Sequence, residues 1–178
     1  LWFCTWGGGV FCFDGSGFTT YTNADGLLDN HARDMLQDRE GSFWFVHSHS
    51  GLTRFDAETS RLLTGAAVPE TLIQTREGAL WFGAADQLCC LYKGEQRCQT
   101  FGSEVFSLLE DSSRRFWVGI FGEGLYCHDS TDAVWEGKPK HFTREQGLKS
   151  NAIFSVIEAR DGTIWVGTYG SPGCLCRF

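Results

Sequence analysis

Methionine occurs once and proline three times in these 178 residues. Helical three-to-four spacing of apolar side chains is absent almost everywhere. Such a chain is poorly suited to helices and well suited to many strands joined by glycine turns, and it carries 22 glycines. Basic residues are outnumbered, 15 against 22 acids, for a net charge of −7 with no Lys/Arg run. A nucleic-acid surface needs a basic footprint, so that class of partner is excluded. No apolar stretch reaches the length of a membrane span, so this segment is not expected to insert directly into a membrane. No signal-peptide pattern opens the chain, but Leu1 already lies in a strand-like run, so that absence carries no weight. Nucleophile elbow, phosphate loop and zinc-protease motif are missing as well. Gly7-Gly8-Gly9 precedes a strand rather than a helix and lacks the dipole that would hold a phosphate. No cofactor is expected.

Repetition is what the chain has instead. DREGSFWF at Asp38–Phe45 recurs as TREGALWFG at Thr75–Gly83, DSSRRFWVG at Asp111–Gly119 and ARDGTIWVG at Ala159–Gly167, with a truncated LWFC at Leu1. Each copy is a polar turn feeding an apolar strand. The markers Trp2, Trp44, Trp81, Trp117 and Trp165 stand 36 to 48 residues apart, and an all-strand repeat of that length is a propeller signature. Outward from each Trp, a four-strand unit reads a-b-c-d, with Trp on strand b. Strand a is Ala32–Gln37, Thr71–Gln74, Val105–Leu109 or Ile153–Ile157. Strand c reads VFCF, LTRF, LCCLY, LYCH or CLCRF. Strand d is Phe18–Thr22, Ser60–Leu63, Cys98–Phe101 or His141–Thr143. The segment His31–Arg39 has some helical character, but its register with the other copies makes it strand a.

Strands b and c are apolar on both faces, as blades covered on both sides would be. Each Trp is expected to wedge between neighbouring blades, stabilising the junction by roughly 2–4 kcal/mol. Gly41, Gly78 and Gly162 suit an a–b turn position of positive φ. Arg114 stands at the equivalent place, which predicts a different turn there.

A second repeat lies at an offset of 121 residues. Thr22-x-x-x-Gly26-Leu27-x-x-Asn30 matches Thr143-x-x-x-Gly147-Leu148-x-x-Asn151, and the same offset carries Trp44 onto Trp165. The runs FTTYTNADGLLDN…LQDREGSFWF…SGLTRFD and HFTREQGLKSNAIFSVIEARDGTIWVGTYG resemble the two-component-regulator propeller repeat. The resemblance covers essentially the whole chain and is weakest over Thr71–Phe101. It implies an all-β propeller of four-stranded antiparallel blades, about four of them here, in the extracytoplasmic sensor half of a membrane-bound hybrid histidine kinase or related regulator. A periplasmic or extracellular location and a carbohydrate or other small-molecule ligand follow as expectations.

Approximate repeats are 1–31, 32–70, 71–103, 104–151 and 152–178. The N-terminal b-c-d set and the C-terminal strand a could complete one blade, but the last b and c strands would then be left over. The reading adopted is an arc of a larger propeller, completed by remaining blades of a parent chain or by a second copy.

Antiparallel wiring puts the d–a linkers and b–c loops on one face of the disc. That face gathers Trp6, His47, His49, Phe121 and Tyr169 from b–c loops, and Asn30, His31 and Asn151 from linkers. Strand a, lining the channel, adds Arg33 and Asp34, where the last copy has Phe154 and Ser155. Polar groups beside flat aromatics suit a sugar or polar ligand. Solvated loop residues and an Arg33–Asp34 pair are the plainer alternative. His47-x-His49 places two rings on one strand face, yet no third ligand lies nearby in sequence, so no metal is expected. Asp14, Asp56 and Asp129 follow the repeat and read as turn-formers rather than catalytic acids. Of the eight cysteines, Cys12, Cys90, Cys127 and Cys176 share one repeat position and read as small buried thiols, with Cys89–Cys90 and Cys174–Cys176 the candidate exceptions. A non-catalytic sensor segment leads over a protein-binding scaffold and over a propeller lyase.

Overall fold

The computed structural model describes residues 1–55, 69–170 and 173–178, with the backbone of 60–63. Asp56, and Ser171 and Pro172 of the last b–c loop, lie outside the described residues. Among these residues, eighteen strands form five separate antiparallel sheets. The first holds β1 (Trp2–Cys4), β2 (Val10–Phe13) and β3 (Phe18–Tyr21). The second holds β4 (Ala32–Gln37), β5 (Phe43–His47), β6 (Gly51–Phe55) and β7 (Ser60–Leu63). The third runs β8 (Pro69–Gln74), β9 (Leu80–Ala84), β10 (Gln87–Tyr92), β11 (Glu95–Thr100). The fourth runs β12 (Val105–Glu110), β13 (Phe116–Ile120), β14 (Gly124–His128), β15 (Lys140–Phe142). The last holds β16 (Ile153–Glu158), β17 (Ile164–Thr168) and β18 (Cys174–Arg177). These are propeller blades wired a-b-c-d. Strand β16 pairs with β17 in its own sheet and not with the N-terminal strands, so among the described residues no composite blade closes a ring.

Successive blades touch along their a strands, β4 to β8, β8 to β12 and β12 to β16. An apolar cluster fills each of the four junctions. Trp44 packs with Leu72 and Leu80 of the next blade, Trp81 with Val105 and Leu108, and Trp117 with Ile153 and Val156. Trp2 meets Phe43 and Phe45.

The a–b turns share one geometry. The amide of the third turn residue bonds back to the carbonyl of the residue before the turn: Gly41 to Asp38 at 3.0 Å, Gly78 to Thr75, Arg114 to Asp111 and Gly162 to Ala159 at 2.9 Å. Arg114 therefore does not mark another turn type. It adopts the same left-handed conformation, at φ 66° against 89°, 88° and 80° for the glycines, and bears the Cβ strain that they avoid. Two turns also clasp their tryptophan. Asp38 accepts from the Trp44 indole at 2.7 Å, and Asp111 from that of Trp117 at 2.8 Å.

Three further devices lay outside the sequence pattern. Every a strand of blades two to five carries a bulge at its second residue: Arg33, Glu70, Phe106 and Phe154 have no partner on strand b. Such a bulge bends the strand and re-aims that side chain. At the other end of strand a, Gln74, Glu110 and Glu158 reach back to the preceding blade's turn, accepting from the amides of Arg39 (3.0 Å), Arg76 (2.6 Å) and Ser112 (2.8 Å). The glycine two residues after the Trp admits the next blade: a Cβ on Gly119 would lie 2.6 Å from Ile153 Cγ2, and one on Gly83 2.4 Å from the Val105 carbonyl.

Smaller differences from the sequence reading concern edges. Strand β8 begins at Pro69, and β11 spans Glu95–Thr100 because a tight turn returns the chain at Lys93–Gly94. A single helical turn, α1 (Ala133–Glu136), stacks Trp135 on Trp81 at 5.3 Å. Cys12, Cys90 and Cys127 do sit opposite Trp2, Trp81 and Trp117, but Cys176 lies opposite Val166, one register away. Burial pushes the Cys90 thiol up to about 11, against the pull of Arg97, which keeps it protonated and unreactive. Cys89 and Cys98 form a disulfide between β10 and β11.

Two outcomes follow. Arg114→Gly relieves the left-handed strain, and its exposed 3.7 Å contact with Glu77 is worth little; denaturant unfolding should show a gain of about 0.5–1 kcal/mol. Burial would raise the Asp111 carboxyl, but bonds from the Trp117 indole, the Arg115 backbone and the Arg115 guanidinium hold it below the usual range. Its contribution is then complete above about pH 4 and is lost as pH falls through the depressed folded value. Asp111→Asn should melt lower than wild type at neutral pH and lose less further stability on acidification, read by melting temperature against pH.

Candidate functional site

The end of the arc where strand a starts and strand b ends carries the d–a linkers and the b–c loops. Two linkers are built identically. Thr22 caps a 3-10 turn (Asn23–Asp25) in a capping box with Asp25, and Thr143 caps Arg144–Gln146 with Gln146. Leu27 and Leu148 are buried beneath. Asn30 accepts from the Asn23 amide and Asn151 from that of Arg144, both at 2.8 Å. Their carbonyls take the amides of Gly7 and Gly9 (Asn30) and of Gly124 (Asn151). Both asparagine side chains thus close the linker itself, a structural role that accounts for the repeated Thr…Gly-Leu…Asn pattern.

The remaining residues fall into three groups. The bulge puts Arg33 against Glu70 of the next blade, with a guanidinium–carboxylate distance of 2.6 Å. The ion pair therefore runs between blades and is not with Asp34, whose carboxylate accepts from the Met35 amide at 2.8 Å. In the later blades the same two positions hold Phe106 and Phe154, stacked at 5.0 Å. Phe121 lies 5.7 Å from Phe106, and Tyr169 6.1 Å from Phe121 and 6.2 Å from Phe154. Phe154 and Tyr169 are 53% and 64% exposed. The arrangement is an inner rim with a charged half and an aromatic half.

Toward the first blade, Trp6 is 72% exposed. It meets His31 edge-on at 5.4 Å and His49 at 6.0 Å, and the two imidazoles lie 5.2 Å apart. His47 does not share this surface. It is fully buried, its Nε2 2.9 Å from Thr53 Oγ1, and burial depresses its pKa against the pull of Asp29. The two-residue spacing misleads because His47 ends strand β5 while His49 sits in the turn beyond it. The sequence pattern does not single out Asp29. Burial opposes its charge, but the Ser50 hydroxyl, the His31 amide and the imidazoles of His47 and His31 hold its pKa below the ordinary value. Glu70 and Phe106 were missed too, because period-two alternation does not show a bulge; the equivalence of Arg33 with Phe154 was the one available signal. Asp14, by contrast, is bound by Ser16 and Gly17 in its turn.

Residues 147–170 match the family described as two component regulator propeller, so the resemblance holds at the repeat containing Gly147, Leu148, Asn151 and Trp165. No curated protein matches the chain. Among solved structures, the chain is similar to the extracellular domain of a candidate one component system from B. thetaiotaomicron, at 18% identity and TM-score 0.78 over 97% of this chain and 25% of that one. The extracellular domain of a candidate hybrid two component system from the same organism aligns at 19% identity and TM-score 0.75, over 96% and 25%. Virginiamycin B lyase from Staphylococcus aureus aligns at 13% and 0.70, over 97% and 63%. The chain thus spans about a quarter of those two extracellular-domain chains, and the likeness establishes a propeller fold.

The Arg33–Glu70 pair should behave as an inter-blade lock. Both side chains are only partly exposed, so a double-mutant cycle with Arg33→Ala and Glu70→Ala is expected to give a coupling energy of about 1 kcal/mol. The coupling should shrink in high salt.

Proposed function

We propose that this chain is a non-catalytic sensory segment of a two-component regulator propeller, binding a carbohydrate or similar small polar ligand on its linker face. The observation that carries the reading is the rim: bulges in successive a strands present an ion pair beside stacked, exposed aromatics. Sugars offer the complement, hydroxyls for Arg33 and Glu70 and a C–H face for Phe154, Tyr169 or Trp6. The family match and the extracellular domains of one- and two-component systems with a similar fold support the signalling half of the reading. A non-catalytic role fits the polar groups, since His47, Asn30 and Asn151 are each held by a structural partner. An extracytoplasmic place agrees with the Cys89–Cys98 disulfide. Among the described residues no helix is long and apolar enough to cross a membrane.

Partner blades are part of the proposal. Phe3 and Phe18 at one end of the arc, and Ile157 and Leu175 at the other, are 44–65% exposed, as blade surfaces awaiting a neighbour would be. The occupants are remaining blades of a parent chain or a second copy.

The test is a thermal-shift and calorimetric screen against mono- and oligosaccharides. A binding sugar should raise the melting temperature, and Tyr169→Ala or Phe154→Ala should weaken it about tenfold or more, as expected for a lost stacking platform. Absence of a shift with every sugar class would remove the carbohydrate assignment.

A further inference from the structure

Asp29, His31 and His49 are 20 residues apart at most in sequence but come from two blades' connections: the first two from the capped linker, the third from the b–c loop of blade two. One ligand-capable atom from each lies within 4.8 Å of the other two. The group is held in place from behind. Asp29 Oδ1 accepts the His31 amide at 2.5 Å, and Oδ2 accepts the Ser50 hydroxyl. The His31 backbone is pinned by its bridge to Trp6 and by the Ser48 amide, which donates to its carbonyl at 2.9 Å. His31 is part-exposed and His49 exposed, and Trp6 packs edge-on against both imidazoles.

We propose that Asp29, His31 and His49 form a binding site for a divalent transition-metal ion, Zn²⁺ being the best match, at the junction of the first two blades. Two imidazoles and one carboxylate make a nitrogen-rich donor set of borderline softness, which suits Zn²⁺ and its neighbours and not Ca²⁺ or Mg²⁺, whose sites are built of oxygens. Around tetrahedral zinc the donor atoms stand about 3.3 Å apart. Reaching that spacing asks for a contraction of about 1.5 Å at most from the 4.8 Å bound. Ser50 supplies the outer hydrogen bond that ligating carboxylates commonly receive. Three protein donors leave the fourth tetrahedral position to an exchangeable water. The proposal goes beyond the sensor reading and does not rest on it, because ion binding is read without any sugar.

The experiment is calorimetric titration of the 178-residue chain with Zn²⁺, paired with Co²⁺ absorption spectroscopy. One ion per chain is expected, with a visible ligand-field band of low-symmetry Co²⁺ and no sulfur charge-transfer band, which separates this site from the cysteines. His49→Ala, in an exposed turn, and His31→Ala should each weaken binding by at least tenfold, and Ser50→Ala by about tenfold. Near-UV circular dichroism of His49→Ala should match the parent, showing that the loss is local. Stoichiometric binding that survives both histidine substitutions would overturn the assignment. So would a sulfur band, an equal response to Ca²⁺, or no heat and no cobalt band at all.

Discussion

A blade of this chain is apolar on both faces, and a sheet of that kind is stable only against a neighbour. Everything else in the arc serves that requirement. The junction tryptophans fill the space between sheets, glycines after them let the next a strand close in, and a hydrogen bond from the far end of that strand seizes the previous turn. Stability therefore rests on nearest-neighbour interfaces as well as on each blade, as in other proteins whose repeats contact only their neighbours.

Much of this is legible in the letters and some is not. Strand order, the Trp wedge and the capped linker announce themselves because each is a local pattern repeated at a fixed offset. The turn Asp that grips its Trp is also in the letters, in two copies of four, yet its meaning appears only when the indole nitrogen is placed. Bulges leave no mark on hydrophobic alternation, since one unpaired residue changes the pairing and not the composition. Arg114 misleads for the opposite reason: the turn's hydrogen bonds outweigh the preference of a non-glycine residue for negative φ. Clusters such as Trp6, His31 and His49 draw on separate loops, and spacing in sequence cannot report which loops share a face until the blades are stacked.

The rim shows how a uniform scaffold acquires local character. Four equivalent bulge positions hold Arg33, Glu70, Phe106 and Phe154, so one half of the rim is ionic and the other aromatic without any change in backbone design. The third blade makes another local substitution. Its outer strand β11 is exposed at nearly every residue, as are β3 and β15, and among the described strands it is the one tied to its neighbour by a disulfide, Cys89–Cys98.

The glycine after the tryptophan carries a geometric consequence. At Gly83 and Gly119 the next blade's a strand comes within reach of where a Cβ would be. Blade two has Val46 at that place, fully buried, and a cleft of about 520 Å³ lined by Trp44, Leu80 and Leu91 opens across the same junction. The volume of the side chain two residues after each Trp therefore limits how closely the next a strand can approach, and that limit differs between a glycine junction and the valine junction of blade two.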